Sequence, residues 1–160
     1  MAQTSTRKLS KLSIGVGITA IILTLLTVLG ISVGIHNANV TSRKVSVSDY
    51  EIGAITEEGK IVDSKLSIYM EEAETVDGLE IELDSDSATV TYKVAFYDED
   101  GKFLSMTEEQ TGDFDNANVP ENAKSFRIVI TPYEVDGESV KLNVFNKSEY
   151  IKQLTVRYNI

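Results

Sequence analysis

The sequence predicts an all-β domain, an antiparallel β-sandwich of jelly-roll type, preceded by a single N-terminal transmembrane helix. Ile14–Ile35 contains no charged residue and no proline. From Val45 onward, apolar and polar residues alternate with a period of two, which is typical of strands with one buried face. Turn residues interrupt this alternation about every 8 to 12 residues, which indicates many short strands.

Ile14–Ile35 has the length of a membrane-spanning helix. Its 22 residues would reach about 33 Å as a helix, close to the thickness of the hydrocarbon core. Three basic residues precede this span and two follow it, so the positive-inside rule favours a cytoplasmic N-terminus. We therefore expect a single-pass protein of the cell membrane whose C-terminal domain is extracellular and whose contact with the lipid bilayer is residues 14–35.

The chain divides by composition into four parts. We expect a basic cytoplasmic head at 1–13, the transmembrane helix or signal anchor at 14–35, a polar tether at 36–44 and the extracytoplasmic β-sandwich domain at 45–160. The alternative to an anchor is a cleaved secretory signal, because Ser32-Val33-Gly34 offers a small-x-small cleavage pattern. Both interpretations export the β domain.

Charge is distributed unevenly along the chain. Residues 1–35 carry three basic side chains and no acid, which leaves 12 basic against 25 acidic side chains, a net of −13, in the remainder. Such an acidic domain repels phosphates, so we expect no nucleic acid partner. The absence of cysteine excludes disulfides, thiol nucleophiles and zinc-thiolate sites.

Gly30 and Gly34 form a G-x-x-x-G pattern within the predicted span. Small residues four apart let two helix backbones approach closely in a bilayer. The pattern therefore makes these glycines candidates for helix packing, and a homo-oligomer formed through the helix is one expected state.

The strands are predicted from the alternation of apolar and polar residues, and the turns from the positions of glycine. In the strongest strand Phe96 is expected to face the core, and Tyr97 to face outward. Turns at 58–60, 98–101 and 135–138 each place a glycine where a hairpin requires positive φ. The predicted strands are Val45–Ile52, Leu66–Met70, Leu79–Leu83, Ala88–Tyr97, Phe103–Thr107, Phe126–Tyr133, Val140–Phe145 and Leu154–Ile160.

Two stretches resemble a known family. Val94–Ser105 (VAFYDEDGKFLS) and Val119–Ile130 (VPENAKSFRIVI) are similar to the strand, D-x-x-G-K-F turn and returning strand of galactose-binding-like jelly-rolls. Such domains occur as carbohydrate-binding modules and in surface and prophage proteins of Gram-positive bacteria. The motif positions are turn and packing positions, so the resemblance implies a fold and transfers no binding residue. They are Asp98, Gly101, Phe103, Pro120, Ala123 and Arg127.

The candidate ligand-binding residues are Lys93, Tyr97 and Arg127. All three are expected on the outward face of two strands, where they would combine hydrogen-bond donors with an aromatic surface if the strands are neighbours. Arginine and tyrosine on such a face also commonly cover the sheet with their apolar stems.

One loop offers several oxygen ligands for a metal. Asp113, Asp115, Asn116 and Asn118 make it a candidate structural calcium site, although it lacks the glycine and the glutamate that complete an EF-hand loop. No other cofactor is implied. We expect no enzymatic activity, because the neighbouring carboxylates lie on turns and the single histidine, His36, precedes the β domain.

These observations predict a non-catalytic, membrane-anchored extracytoplasmic binding module. Its partner would be a carbohydrate such as a cell-wall glycan, or an envelope protein. The alternative is a structural subunit of a membrane or cell-surface assembly, with a pilin-like helix and β domain and no small-molecule ligand. Against a true pilin, no glutamate lies at the start of the apolar run.

Overall fold

The computed structural model describes residues 41–84 and 88–160, and Ser42–Ile160 form one compact unit. Its strands are β1 (Ser42–Lys44), β2 (Tyr50–Ile52), β3 (Ala54–Ile55), β4 (Ile61–Val62), β5 (Ile68–Met70), β6 (Glu74–Thr75), β7 (Glu80–Leu83), β8 (Val90–Tyr97), β9 (Phe103–Met106), β10 (Ser125–Pro132) and β11 (Leu154–Asn159). The short helix α1 spans Lys147–Ile151, and 3-10 turns span Val47–Asp49 and Asn116–Asn118.

The strands form antiparallel sheets, as the alternation predicts. The smaller sheet has the order β1-β11-β7, and the larger has the order β2-β5-β10-β8-β9, with β6 also paired to β10. β3 and β4 form a separate antiparallel hairpin. The domain is thus mostly β, in an arrangement consistent with a sandwich.

The inner core contains apolar side chains from both sheets. In β8 the inward residues alternate as predicted, and Phe96 is only 1% exposed. The Phe126 and Tyr158 rings, from the larger and the smaller sheet, meet edge to face with centroids 6.1 Å apart. The prediction that Phe96 faces the core is therefore confirmed.

The start of the domain departs from the sequence pattern in two places. Ser42–Lys44, expected in the tether, form β1, because an edge strand needs only backbone hydrogen bonds to its neighbour and leaves charged side chains in solvent. The predicted strand 45–52 is interrupted by the 3-10 turn at 47–49. Ser46 starts that turn with a capping box, in which the Ser46 amide donates to the Asp49 carboxylate at 2.7 Å.

Membrane crossing is predicted for a part of the chain that lies outside the described residues. The span at 14–35, with Gly30 and Gly34, belongs to that part. Within 41–84 and 88–160, no helix has both the length and the apolar character that crossing a bilayer requires.

Candidate functional site

The predicted ligand-binding residues lie together on the outer face of the larger sheet. β8 and β10 are antiparallel neighbours, with Lys93 opposite Val129 and Arg127 opposite Ala95. The Arg127 guanidinium carbon lies 5.2 Å from the centroid of the Tyr97 ring, within range of a cation–π interaction. The expectation that these strands are neighbours, which brings the three side chains to one face, is confirmed.

This face is covered, however, by the β3–β4 hairpin. Ile55 of the hairpin packs on Ala95, Tyr97 and Val129, with Tyr69, Phe103 and Met106 at the margin, and we call these seven residues the outer cluster. Tyr97 is only 4% exposed. The expectation that Tyr97 stands out into solvent is therefore wrong, because a hairpin distant in sequence folds over the strand.

The polar groups of this face are only partly satisfied. The Lys93 ammonium lies 2.9 Å from the Glu57 carboxylate, which comes from the loop of the same hairpin. The Tyr97 hydroxyl and the Arg127 Nε are buried and have no hydrogen-bond partner among the described residues. Ligand binding by Lys93, Tyr97 and Arg127 stays a prediction, and it would require the hairpin to move.

The predicted calcium loop uses its carboxylates to hold backbone amides. Asp113 Oδ1 accepts a hydrogen bond from the Leu83 amide at 3.0 Å, which ties the loop to β7. Asp115 Oδ1 accepts from the Ala117 amide at 2.9 Å and caps the 3-10 turn that contains Asn116 and Asn118.

Phe114, between the two carboxylates, packs against the inner core. Its ring centroid lies 6.2 Å from that of Phe96. In the part of the chain that the structure describes, no group of three or more histidine, cysteine, aspartate or glutamate side chains is arranged to hold a metal. Calcium binding through Asp113, Asp115, Asn116 and Asn118 stays a prediction, and the carboxylates of this loop have a structural use without it.

A second candidate site lies at Val144 and Phe145, which the sequence places at the end of a strand. The structure contradicts that strand, since these residues form a turn directly before α1. Phe145 is 91% exposed and Val144 is 71% exposed, and we call the pair the tip. Two adjacent apolar side chains that are this exposed indicate an interaction surface better than single exposed residues do.

The backbone of the tip is fixed by two asparagines. Asn143 Oδ1 accepts hydrogen bonds from the amides of Phe145 at 2.9 Å and Asn146 at 3.3 Å. Asn146 Oδ1 accepts in turn from the Asn143 amide at 2.8 Å. Leu142, just before the turn, is buried in the inner core, so the tip stands on an anchored base. Asparagine side chains readily form such hydrogen bonds to the backbone, and these bonds compete with the hydrogen bonds of a strand.

An apolar groove lies at the other end of α1. It has a volume of about 380 Å³ and is lined by the apolar side chains Val45, Val47, Tyr50, Ile151 and Leu154. Lys44, Ser46 and Lys152 complete the lining. We call it the Val47 groove. Tyr50, Ile151 and Leu154 are buried, and Val45 and Val47 are half-buried.

Three core tyrosines have raised pKa values. Burial raises the pKa of the Tyr50 hydroxyl, with a smaller contribution from Asp49, and burial with Asp113 raises that of Tyr92. The Tyr92 hydroxyl donates to the Gly112 carbonyl at 2.8 Å. Burial raises the pKa of Tyr158 to about 12, and the nearby Glu74 carboxylate adds to this effect. These groups are neutral at physiological pH, which suits a packed core.

Neither the tip nor the groove is predicted by the strand pattern of the sequence, for different reasons. The N-V-F-N sequence at 143–146 contains a usable signal, because asparagines around a short apolar pair are typical of a turn. The groove brings together residues 44–50 and 151–154, which are about 100 positions apart. No local pattern could have predicted that contact.

No protein-family model, curated protein or solved structure matches this chain. The resemblance to galactose-binding-like domains accordingly stays a prediction.

Proposed function

We propose that this chain is a non-catalytic binding module held at the cell membrane by residues 14–35, with its β domain outside the cell. The domain recognises a carbohydrate or an envelope protein, and the tip makes the central contact. A sandwich of jelly-roll type, with a galactose-binding-like arrangement of strands, is the proposed architecture. The antiparallel sheets and the sequence of Val94–Ser105 support that proposal.

The exposure of Phe145 is the observation that carries the proposal. A phenyl ring that is 91% exposed on a hydrogen-bonded turn gains free energy when a partner covers it. The turn is already ordered, so binding loses little conformational entropy. An aromatic ring beside amide groups suits either the apolar face of a sugar or a small pocket on a protein.

The net charge of the β domain limits the chemistry of the partner that it can bind. The domain has a net charge of −13, which disfavours anionic partners over most of its surface. Lys141 and Lys147 flank the tip, but the Lys147 ammonium already contacts the Tyr50 carbonyl at 2.7 Å and Glu51 at 3.8 Å. We infer that apolar contact, and not charge attraction, supplies most of the affinity at the tip.

Site-specific photocrosslinking of the full-length chain in its own membranes tests this function. A photoreactive phenylalanine analogue at position 145 should capture a discrete protein partner, or purified wall glycan should retain the chain. Phe145→Ala should weaken either association by about tenfold or more, measured by co-purification of the captured protein or by glycan retention, as expected for a central aromatic contact. The matched control is the analogue at Val135, an apolar side chain that is 61% exposed on another turn.

The outcomes separate the alternatives. Crosslinks at 145 and not at 135, or glycan retention that Phe145→Ala removes, would support the binding module. Crosslinks from the Val135 analogue that form only between copies, are kept in Phe145→Ala and are lost when Gly30 and Gly34 are replaced by leucine, would favour the structural subunit. Equal crosslinking at 145 and 135, together with glycan retention that ignores Phe145, would exclude the tip as the contact.

A further inference from the structure

We propose that the protein partner of the tip is a second copy of this chain, whose Val47 groove receives Phe145. This inference rests on the proposed function in one respect, that the tip is a contact surface. It adds the identity of the receiving surface. The two halves of the contact are present on the same domain, one at each end of α1.

The tip and the groove are complementary in size and chemistry. The groove has a volume of about 380 Å³, which is ample for one phenyl ring and one isopropyl group, and five of its eight lining residues are apolar. Its floor consists of buried residues that already belong to the inner core, so an inserted ring would extend that core. The groove is not filled by the tip of its own chain, because Phe145 is 91% exposed.

The tip and the Val47 groove are placed so that each of two copies can insert its tip into the groove of the other. Helix α1 has five residues, about 8 Å of helix, so tip and groove are close neighbours on the domain. Two copies related by a two-fold axis can then make the same contact twice, and such a pair is closed. A single phenyl ring is a weak anchor, but two equivalent contacts form together.

The length of chain between the predicted span and the domain favours a second copy over other occupants. Only six residues separate Ile35 from Ser42, a reach of at most about 20 Å. The groove lining starts at Lys44, the last residue of β1. If two spans pack through Gly30 and Gly34, these short links hold the two domains at millimolar effective concentration, at which even weak contacts form.

Charge gives the proposal a distinctive signature. Two domains of net charge −13 repel each other, while apolar insertion holds them together. Added salt screens the repulsion. Association between copies should therefore strengthen as salt is raised, whereas docking on a partner of opposite charge would weaken.

Disulfide trapping between full-length copies tests the proposal, because the chain has no cysteine of its own. Two differently tagged copies are co-expressed in membranes, one carrying Val144→Cys and the other Lys152→Cys in the groove lining. Mild oxidation should yield a mixed disulfide dimer, and more of it at high salt. The matched control replaces Val144→Cys by Val135→Cys, which should give little product.

Adding Phe145→Asp to the Val144→Cys copy should reduce the product about tenfold or more, since a carboxylate cannot enter the groove without losing its hydration. Position 145 is exposed, so this variant should fold normally. Undiminished product in Phe145→Asp, or no product while both cysteines react with maleimide, would overturn the proposal. If the tip crosslinks to a different protein or a glycan instead, the second-copy proposal fails and the binding-module function stands.

Discussion

The inner core and the outer cluster lie on opposite faces of the same two strands, yet they differ in construction. The inner core takes buried side chains from both sheets and from α1, and it includes Phe96. The outer cluster has only four buried residues, among them Tyr97, and its cover is the β3–β4 hairpin. Adjacent positions in β8 thus point into two environments, one closed by a sheet and one closed by a hairpin.

The difference shows how a cluster of polar candidates can be buried. The outward face that carries Lys93, Tyr97 and Arg127 would be exposed to solvent if nothing covered the larger sheet. The hairpin covers it, so Tyr97 and part of Arg127 are buried while two of their polar atoms have no hydrogen-bond partner among the described residues. A buried polar group without a partner reduces stability, and among the described residues the outer cluster has two such atoms against one in the inner core, the Tyr158 hydroxyl, so the outer cluster should be the weaker of the two.

Truncating the two adjacent aromatics compares the clusters directly and should give the largest effect. Phe96→Ala should lower the free energy of unfolding by about 4 kcal/mol, because it leaves a cavity between two sheets. Tyr97→Ala should cost only about 2 kcal/mol, since the hairpin can settle into the space and an unpartnered hydroxyl is removed. Urea denaturation of the two variants measures both values. Equal losses would mean that the outer cluster is packed as firmly as the inner core.

The hairpin that covers the outer cluster depends on Gly59. This residue has a φ of 76°, and a Cβ placed there would lie 2.3 Å from the Phe103 ring. Gly59→Ala should therefore cost about 3 kcal/mol, from backbone strain and from displacement of that ring. Gly101→Ala is the control, with a φ of 73° and no atom within 4 Å, and should cost only about 1 kcal/mol. Equal melting temperatures of the two variants would show that the hairpin does not press on Phe103.

Alkaline pH should weaken the inner core through its tyrosines. The pKa of Tyr158 is raised to about 12 in the folded domain, from an ordinary value of 10 in the unfolded chain. The contribution of Tyr158 to the free energy of unfolding is fully present below pH 10. It is lost as the pH rises toward 12, because only the unfolded chain releases the proton between these values. Tyr50 and Tyr92, whose pKa values are also raised, act in the same direction.

Tyr158→Phe isolates one of these contributions. Between pH 10 and pH 11, the free energy of unfolding of wild type should fall by more than that of this variant, with a difference below about 1.4 kcal/mol, the largest change that one titrating group gives per pH unit. Urea midpoints at the two pH values give the difference. Parallel pH profiles would place the Tyr158 hydroxyl in solvent.

Removing the Tyr97 hydroxyl should have the smallest effect. Tyr97→Phe keeps the ring against Phe103, whose centroid is 5.9 Å away, and deletes an oxygen that has no partner among the described residues. We expect the free energy of unfolding to stay within about 0.5 kcal/mol of the wild-type value or to rise slightly. A loss above about 1 kcal/mol would reveal a hydrogen bond at this hydroxyl, and would make it a stronger candidate for contacting a ligand.

Local patterns were sufficient for the mostly β class, for the inward face of β8 and for the turns. Alternation selects one face of a strand, and glycine permits positive φ, at residues 59, 101 and 137 among others. The D-E-D-G turn forms as expected, with Asp98 Oδ1 accepting from the Lys102 amide at 2.8 Å. Each of these features depends on residues within a few positions of one another.

The sequence by itself therefore determined which side chains of the strands face inward and where the chain turns. Only the tertiary structure decided that the hairpin at 54–62 buries Tyr97, and that residues 44–50 meet 151–154 to form the Val47 groove. The strand expected at 140–145 does not form, because two asparagine side chains accept hydrogen bonds from the backbone amides there and leave Phe145 in solvent. Burial on the outer face depends on which distant segment covers it, and alternation along one strand carries no information about that segment.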